Sequence, residues 1–291
     1  MLDHCFILLQ RLLPQHGLSR IAYRVSRLQW RWWRRRVIAW FIRRYGVDMA
    51  PAERDSWEDF PHFNAFFTRA LKPGARPMPP QPDAIVSPAD GVVYEVGCAE
   101  RNRFIQAKGR DYTVDSLLGG DKALAAPFYD GPYITVYLAP KDYHRVHMPL
   151  AGRLRMMRYI PGRLFSVNQR TTRAIPGLFA LNERLVTVFD TEVGPMAVVL
   201  VGAMLVSAIE TVWSDGIIRP GQGNRPRTRD YSADERAPTL ARGQEMGRFN
   251  MGSTVIVLLG RGRACWTHEI TAQQVVRVGQ LLGVPKRPSP G

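Results

Sequence analysis

The sequence predicts an α+β protein in which N-terminal amphipathic helices precede a mainly β core of the sandwich or barrel-like type. Two observations lead to this prediction. Apolar residues recur at helical spacing in the first 50 residues, whereas many short apolar runs bounded by turn residues follow after about residue 82. No long helical pattern separates these runs, which favours antiparallel sheets over an alternating α/β arrangement. With 291 residues the chain is long enough to bury a sizeable core.

The first helical segment is also the most basic part of the chain. Residues 1–50 hold ten arginines and two acidic residues, so they supply +8 of the formal net charge of +15, and they hold four of the seven tryptophans. The apolar positions at helical spacing, with arginines between them, are Leu18, Ile21, Ala22, Val25 and Leu28. Such a stripe is typical of a helix lying at a membrane surface. We therefore expect an anionic membrane surface as a partner; packing on the protein's own core and RNA binding are the alternatives.

A connecting region follows, and we place the domain boundary at its start, with basic helices in 1–50 and a catalytic core in 51–291. Its aromatic residues Phe60, Phe63, Phe66 and Phe67 are expected to be buried, and its proline-rich stretch 72–80 predicts an extended linker.

The remaining elements are predicted from β-branched and aromatic runs between turn residues. The predicted strands are 84–86, 91–96, 133–138, 184–190, 196–209, 253–259 and 275–282. The segments 185–190 and 196–201 predict a hairpin through Gly194. Residues 216–243, rich in proline, glycine and arginine, predict a long exposed loop.

The location is predicted from three further features. The three cysteines are far apart, which argues against a disulfide framework and a cysteine-based metal site and suits a reducing compartment. The apolar runs near the N-terminus are shorter than the roughly 20 residues of a membrane span. Asp3 and Pro14 argue against a signal peptide. We expect a peripheral protein on the cytoplasmic side of the cell membrane, with no bound metal.

Three short stretches, 87–91, 143–149 and 245–255, contain the residues that could perform chemistry. The candidates along the chain are Asp90, His144, His147, Gly252 and Ser253. Each stretch is weak by itself, because aspartate and Gly-Ser are common in turns, and two histidines three apart make awkward metal ligands on an extended chain. A histidine beside a buried aspartate is, however, the usual general-base pair.

Together these stretches resemble the phosphatidylserine decarboxylase family in its bacterial proenzyme form. The matching stretches are 87–91 (Ser-Pro-Ala-Asp-Gly), 143–149 (Tyr-His-Arg-Val-His-Met-Pro), 161–168, 178–184 and 243–255, which includes Met-Gly-Ser-Thr. The phenylalanine-rich segment 63–77 and the N-terminal basic helices also fit, so the resemblance spans nearly the whole chain in the family's order. Met251 stands where many members have leucine, a residue of similar volume.

The resemblance implies a self-cleaving precursor. The hydroxyl of Ser253 attacks the carbonyl of Gly252, with His147 as the general base held by Asp90. Ser253 then becomes an N-terminal pyruvoyl group, the one cofactor expected. The products are a β chain of residues 1–252 and an α chain of residues 253–291, which form a heterodimer that can dimerise further.

The resemblance also implies the reaction of the mature enzyme. The pyruvoyl group forms a Schiff base with phosphatidylserine, and loss of CO2 gives phosphatidylethanolamine. His144 is the predicted proton donor. Phe165, Ser166 and Asn168 are predicted to line the headgroup pocket, and no nucleic-acid partner is expected.

The residues taken alone leave other functions open. These are a soluble pyruvoyl-dependent amino-acid decarboxylase, a hydrolase with Ser253, His147 and Asp90 as a permanent triad, a zinc hydrolase using His144 and His147, and a non-enzymatic membrane- or RNA-binding protein.

Overall fold

The basic N-terminal segment folds into two helices. The computed structural model describes residues 10, 13–104, 112–204, 208–214, 218, 221 and 223–286, and in it α1 spans Gln15–Val25 and α2 spans Arg31–Tyr45. Helix α2 ends at Gly46, whose φ of +66° forms a left-handed cap that glycine adopts without strain. The expectation about a signal peptide concerns mainly residues 1–9, which lie outside the described residues. No helix among the described residues has the length and the hydropathy that a membrane crossing requires.

Short helices and many strands follow. The helices are α3 Phe63–Phe67, α4 Val114–Leu117, α5 Lys122–Ala125, α6 Gln169–Ala174 and α7 Leu178–Leu181. The first strands are β1 Ile85–Val86, β2 Gly91–Cys98, β3 Arg103–Phe104, β4 Tyr112–Thr113, β5 Pro132–Leu138, β6 Arg145–His147, β7 Gly152–Ile160, β8 Arg184–Thr191 and β9 Gly194–Val201. The later strands are β10 Ala208–Thr211, β11 Arg227–Asp230, β12 Thr239–Leu240, β13 Glu245–Asn250, β14 Ser253–Leu259, β15 Ala264–Trp266, β16 Val275–Val276 and β17 Leu281–Pro285.

One large antiparallel sheet forms the centre of the described structure. Its strand order is β11-β7-β8-β9-β14-β5-β2-β16, and β12 pairs with β7 beside β11. Strands β8 and β9 form the predicted hairpin, with Leu185 opposite Leu200. Strand β14 lies between β9 and β5 and is buried along its whole length. The predicted α+β class is therefore confirmed.

The large sheet is covered on both faces. One face shares a core, including Val136, Leu200 and Phe249, with two three-stranded sheets ordered β1-β17-β15 and β10-β13-β6. The other face packs against short helices α4 to α7 around Phe104 and Phe179. Each central strand is therefore buried on two sides, which explains the continuous apolar runs of β9 and β14.

A third cluster joins the helices to the core. It contains the four phenylalanines expected to be buried, together with Ile38 and Phe41 of α2. The burial of Phe60, Phe63, Phe66 and Phe67 is thus confirmed. In this cluster, residues before position 50, where we predicted a domain boundary, pack against residues after it.

Three predicted segments are wrong in extent. Strand β9 ends at Val201, opposite the first residue of β8, and the separate strand β10 belongs to another sheet. The predicted strand 275–282 is two strands, because Gly279 turns the chain with φ +83°. The predicted loop 216–243 contains β11 and β12, which pair with the edge of β7.

Candidate active site

The predicted cleavage bond lies where the chain crosses from one sheet to another. Strand β13 belongs to the small sheet and β14 to the large one, so Met251 and Gly252 alone connect them. Met251 has φ +83° and Gly252 has φ +42°, both in the left-handed region. This conformation costs a residue with a Cβ about 1–2 kcal/mol, so the backbone is strained at Met251. An added Cβ on Gly252 would meet no atom within 4 Å, so glycine is needed there for its conformation and not for space.

The side chain of Ser253 is completely buried. Its exposed fraction is 0%, and its Oγ has no hydrogen-bond partner within the described part of the chain. The hydroxyl of the next residue, Thr254, is likewise buried without a described partner. Buried hydroxyls are normally hydrogen-bonded, so two unpaired ones beside a strained turn require a physical explanation.

His144 is hydrogen-bonded to the strand that leads into this turn. Its backbone carbonyl accepts a hydrogen bond of 3.0 Å from the amide of Phe249, four residues before Ser253, and its ring lies 4.0 Å from the ring of Phe67. Its Nδ1 donates to the carbonyl of Asp142 at 2.8 Å, which leaves an unprotonated Nε2. That Nε2 is buried and has no described partner. Burial lowers the pKa of His144 to about 3, so the ring is neutral at physiological pH.

His147 is placed near the other end of β13. It pairs with Glu245, and its Nδ1 donates to the carbonyl of Gly243 at 2.8 Å. Its Nε2 is occupied by the hydroxyl of Tyr143 at 3.0 Å. Burial also lowers the pKa of His147, against a smaller rise from the hydrogen bond to Gly243. Its backbone amide donates to the carbonyl of Pro88, which joins it to the turn that contains Asp90.

Asp90 has different partners from those the sequence predicted. Both of its carboxylate oxygens accept hydrogen bonds from the guanidinium of Arg76, and Oδ1 also accepts one of 2.8 Å from the amide of Val278. The expected hydrogen bond between Asp90 and His147 is therefore not formed in this structure. The physical reason is that a two-pronged, charge-assisted contact with arginine satisfies the carboxylate, while carbonyl and phenol groups satisfy the imidazole.

Two cavities open beside these residues. The larger one, of about 700 Å3, is lined by Asp90, Asp142 and several basic residues. Those basic residues are Arg69, Lys72, Arg76, Lys141 and Arg277. The smaller one, of about 260 Å3, contains His147 and Tyr143. Neither is lined by His144 or Ser253, because both of these side chains are fully buried.

The residues predicted for the headgroup pocket have structural contacts instead. Phe165 is buried in the core and exchanges two backbone hydrogen bonds with the side chain of Asn182. The amide of Ser166 donates to Gln10, and Asn168 caps helix α6 by accepting from Thr171. These contacts give no support to a role in substrate binding, which stays a prediction.

Sequence reasoning missed two residues that contact the candidates. Arg76 was assigned to an extended linker, and a lone arginine before a proline gave no signal that it pairs with Asp90. Tyr143 precedes the two histidines, and its aromatic hydroxyl within their motif was the available signal.

In the described part of the chain, no group of three or more histidine, cysteine, aspartate or glutamate side chains could hold a metal ion. Cys98 and Cys265 are free and exposed.

At this turn a left-handed glycine precedes a buried serine hydroxyl, and the strand leading into the turn is hydrogen-bonded to the backbone of His144, whose imidazole is neutral at physiological pH. Residues 63–284 match the family model described as Phosphatidylserine decarboxylase, and residues 5–46 match a second model described as PSD.

Relatives named phosphatidylserine decarboxylase proenzyme align along nearly the whole chain. The protein of Ectopseudomonas mendocina (strain ymp) is 54% identical over 284 residues, which cover 97% of this chain and 99% of the relative. The protein of Pseudomonas entomophila (strain L48) is 54% identical over 286 residues, covering 98% and 99%. That of Pseudomonas aeruginosa is 53% identical over 286 residues, covering 98% of each chain. The chain belongs to the phosphatidylserine decarboxylase family, an enzyme family of carboxy-lyases, and the comparisons give no support to the alternative functions.

Proposed function

We propose that the chain cleaves itself before Ser253 and then converts phosphatidylserine to phosphatidylethanolamine and CO2. The observation that carries this proposal is the buried, unpaired Oγ of Ser253 directly after the left-handed Gly252. Membership of the family supplies the reaction class, and the names of the relatives supply the substrate.

The cleavage reaction needs only groups of the chain and one water molecule. The Oγ of Ser253 bonds to the carbonyl carbon of Gly252, and the C–N bond breaks to give an ester and a free amine. Removal of the α-proton of Ser253 then expels the carboxylate of Gly252. The remaining dehydroalanine takes up water and releases ammonia, which leaves a pyruvoyl group. Strain at Met251 favours this path, because the amide must give up its resonance before the less stable ester forms.

We assign the proton transfer from Ser253 to His144. Its Nε2 carries a lone pair that no described group occupies, and it lies on the side of β13 that leads to the cleavage bond. Being neutral, it can accept a proton at physiological pH. The same nitrogen is suited to return a proton to the substrate during decarboxylation, the role that the sequence predicted for His144.

His147 and Asp90 remain proposed processing residues, with a positioning role in this geometry. The Nδ1 of His147 donates to the carbonyl of Gly243 and so positions the residues before β13, the strand that leads to the cleavage bond. Asp90 joins Arg76 to Val278 and holds the turn against which His147 packs. Loss of either residue is expected to disturb the segment that contains His144.

The residues present fit a pyruvoyl group at position 253. The group would supply an electron-accepting carbonyl beside His144, as the family's decarboxylation chemistry requires. Strand β14 would hold it in place after cleavage, because Ser253 pairs with Leu138 and Thr254 pairs with both Tyr137 and Val201. The two product chains would therefore stay together as a heterodimer.

The N-terminal helices are proposed to hold the enzyme on an anionic membrane surface. Helix α1 turns polar residues, Gln15 and Ser19, towards the protein and leaves Ile21 57% exposed. Trp30 and Trp32 are also more than half exposed and stack with their ring centroids 6.2 Å apart. Exposed apolar and indole groups beside many arginines suit the headgroup layer, where the lipid substrate is found.

The test is decarboxylation of phosphatidylserine in mixed vesicles, compared with free serine. We expect phosphatidylethanolamine and CO2 from the lipid only. Release of CO2 from free serine alone would instead indicate a soluble amino-acid decarboxylase, and no release from either would contradict the proposal.

A further inference from the structure

A buried amide immediately precedes the cleavage turn and is held on both sides. The side chain of Asn250 has an exposed fraction of 0%. Its Oδ1 accepts hydrogen bonds from Nη2 of Arg27 at 3.1 Å and from Nδ2 of Asn64 at 2.6 Å. Its Nδ2 donates to Oε1 of Glu210 at 2.8 Å and to the carbonyl of Ala208 at 3.3 Å. Both the oxygen and the nitrogen of the Asn250 side chain are thus hydrogen-bonded, three residues before Ser253.

The donors come from the helical part of the chain. Arg27 lies just after α1, its guanidinium is 3.7 Å from the centre of the Tyr23 ring, and its Nη2 is also 3.8 Å from Glu210. The carbonyl of Ser26 accepts a hydrogen bond of 2.8 Å from the amide of Asn64. The end of α1, the start of α3 and the end of β13 are therefore joined by hydrogen bonds at one point.

The residue after Asn250 is held by the same part of the chain. Met251 packs against the aromatic cluster that includes Ile38 and Phe41 of α2. Phe67 belongs to that cluster, and its ring also contacts the ring of His144. Both residues before Gly252, and the imidazole assigned to the reaction, thus contact the N-terminal helices or groups packed on them.

We propose that Arg27 and Asn64 are positioning residues for self-cleavage, acting through the amide of Asn250. The N-terminal helices then complete the processing site in addition to contacting the membrane. This inference rests on the proposed cleavage at Gly252–Ser253.

The physical reason is the geometry of the turn. Only Met251 and Gly252 separate Asn250 from the reacting hydroxyl, and the left-handed conformation of Met251 is one that an unrestrained chain would leave. Fixing Asn250 keeps the Gly252 carbonyl within reach of Oγ. A misplacement of about 1 Å in a reacting pair can cost on the order of 100-fold in rate.

The experiment follows cleavage of the freshly synthesised full-length chain over time, by the mass of its products. We expect Arg27→Met to slow the first-order cleavage rate at least about tenfold, and Arg27→Lys, which keeps one charged donor, to restore part of it. Arg24→Met is the matched control, since Arg24 is exposed in the last turn of α1, three residues before Arg27, and carries the same charge. It should cleave within about twofold of the unaltered chain.

A second variant gives a pH signature. In Asn250→Asp, one oxygen can still accept from Arg27 and Asn64, but the other faces Oε1 of Glu210 and needs a proton to replace the lost donor. Its cleavage rate, relative to the unaltered chain at the same pH, should be low near pH 8 and recover towards about pH 5. The thermal stability of Arg27→Met is measured in parallel, to separate an effect on folding from an effect on the position of the cleavage turn.

The outcomes distinguish this inference from the proposed function. If the unaltered chain does not cleave at all, the proposed function fails. If it cleaves and both Arg27→Met and Asn250→Asp cleave at its rate at pH 8, only the inference is overturned.

Discussion

The hydroxyl of Tyr143 lies 3.0 Å from Nε2 of His147 and occupies the lone pair that a general base would use. The Nε2 of His144 has no partner in the described part of the chain. The two histidines of one motif, each fixed by a carbonyl at Nδ1, therefore differ in whether they can accept a proton.

This difference predicts distinct effects on cleavage. We expect His144→Ala to slow cleavage at least about 100-fold, the usual contribution of a positioned base. Tyr143→Phe should cleave close to the normal rate, because it only frees Nε2 of His147. The measurement is the time course of cleavage by intact mass. Normal cleavage by His144→Ala, together with loss of cleavage in His147→Ala, would show that His147 is the proton acceptor.

The same assignment predicts the pH dependence of cleavage. Burial lowers the pKa of His144 to about 3, so its basic form is fully populated above about pH 5. The cleavage rate is therefore expected to be flat between about pH 5 and pH 8, measured on the folded chain. A decline centred near the ordinary histidine pKa of about 6.5 would contradict this assignment.

Gly252→Ala tests the strained turn. The added methyl group meets no atom within 4 Å, but φ of +42° is unfavourable for alanine, so the backbone should relax away from the reactive conformation. We expect about tenfold slower cleavage with an intact fold. Gly262→Ala is the matched control, because Gly262 also has positive φ and open space around it but lies in a turn after β14. Equal cleavage rates in the two variants would rule out a role for the conformation of Gly252.

Glu95→Gln should change how stability depends on pH. Burial raises the pKa of Glu95 from 4.5 to about 7, and its Oε2 has no described partner. The pKa of Glu95 is therefore higher in the folded state than in the unfolded state. The contribution of Glu95 to the free energy of unfolding is fully present below about pH 4.5 and is lost as the pH rises through 7. We expect Glu95→Gln to be more stable than the original by about 1–3 kcal/mol near pH 8 and no more stable near pH 4.5, by thermal unfolding of each form. An equal difference at both pH values would contradict the assigned pKa.

The exposed tryptophans predict vesicle binding. We expect the double variant Trp30→Ala and Trp32→Ala to bind anionic vesicles about tenfold or more weakly, because two indole groups no longer enter the headgroup layer. Val284→Ala, which shortens an exposed apolar residue on β17, should bind normally. Unchanged binding by the tryptophan variant in a sedimentation assay would place the membrane contact elsewhere.

Local patterns were sufficient to predict much of the fold. Apolar runs located the central strands β5, β8 and β14, and helical spacing located α1. The motif 245–255 also contains the turn at Met251 and Gly252 where the chain crosses between two sheets, and the buried Ser253 after it. These features depend on residues close together in the sequence, for which side-chain periodicity is informative.

The remaining features depend on pairings between distant residues. Arg27 and Asn250 are 223 positions apart, and neither is distinctive in its local sequence. A bulge between Val93 and Glu95 shifts the register of β2 and places Glu95 opposite Thr135. Strict alternation would have placed Glu95 on the same face as Val93. The pairing of Arg76 with Asp90 likewise cannot be predicted from a local sequence pattern.

The central claim is that Ser253 breaks the peptide bond before it. The most direct measurement is the intact mass of the purified protein and of Ser253→Ala, with Ser232→Ala in an exposed loop as the control. We predict two chains, residues 1–252 and 253–291 with a pyruvoyl end on the smaller, for the original and the control, and one continuous chain of 291 residues without decarboxylase activity for Ser253→Ala. A fully active preparation whose backbone is continuous through Gly252 and Ser253 would contradict the account.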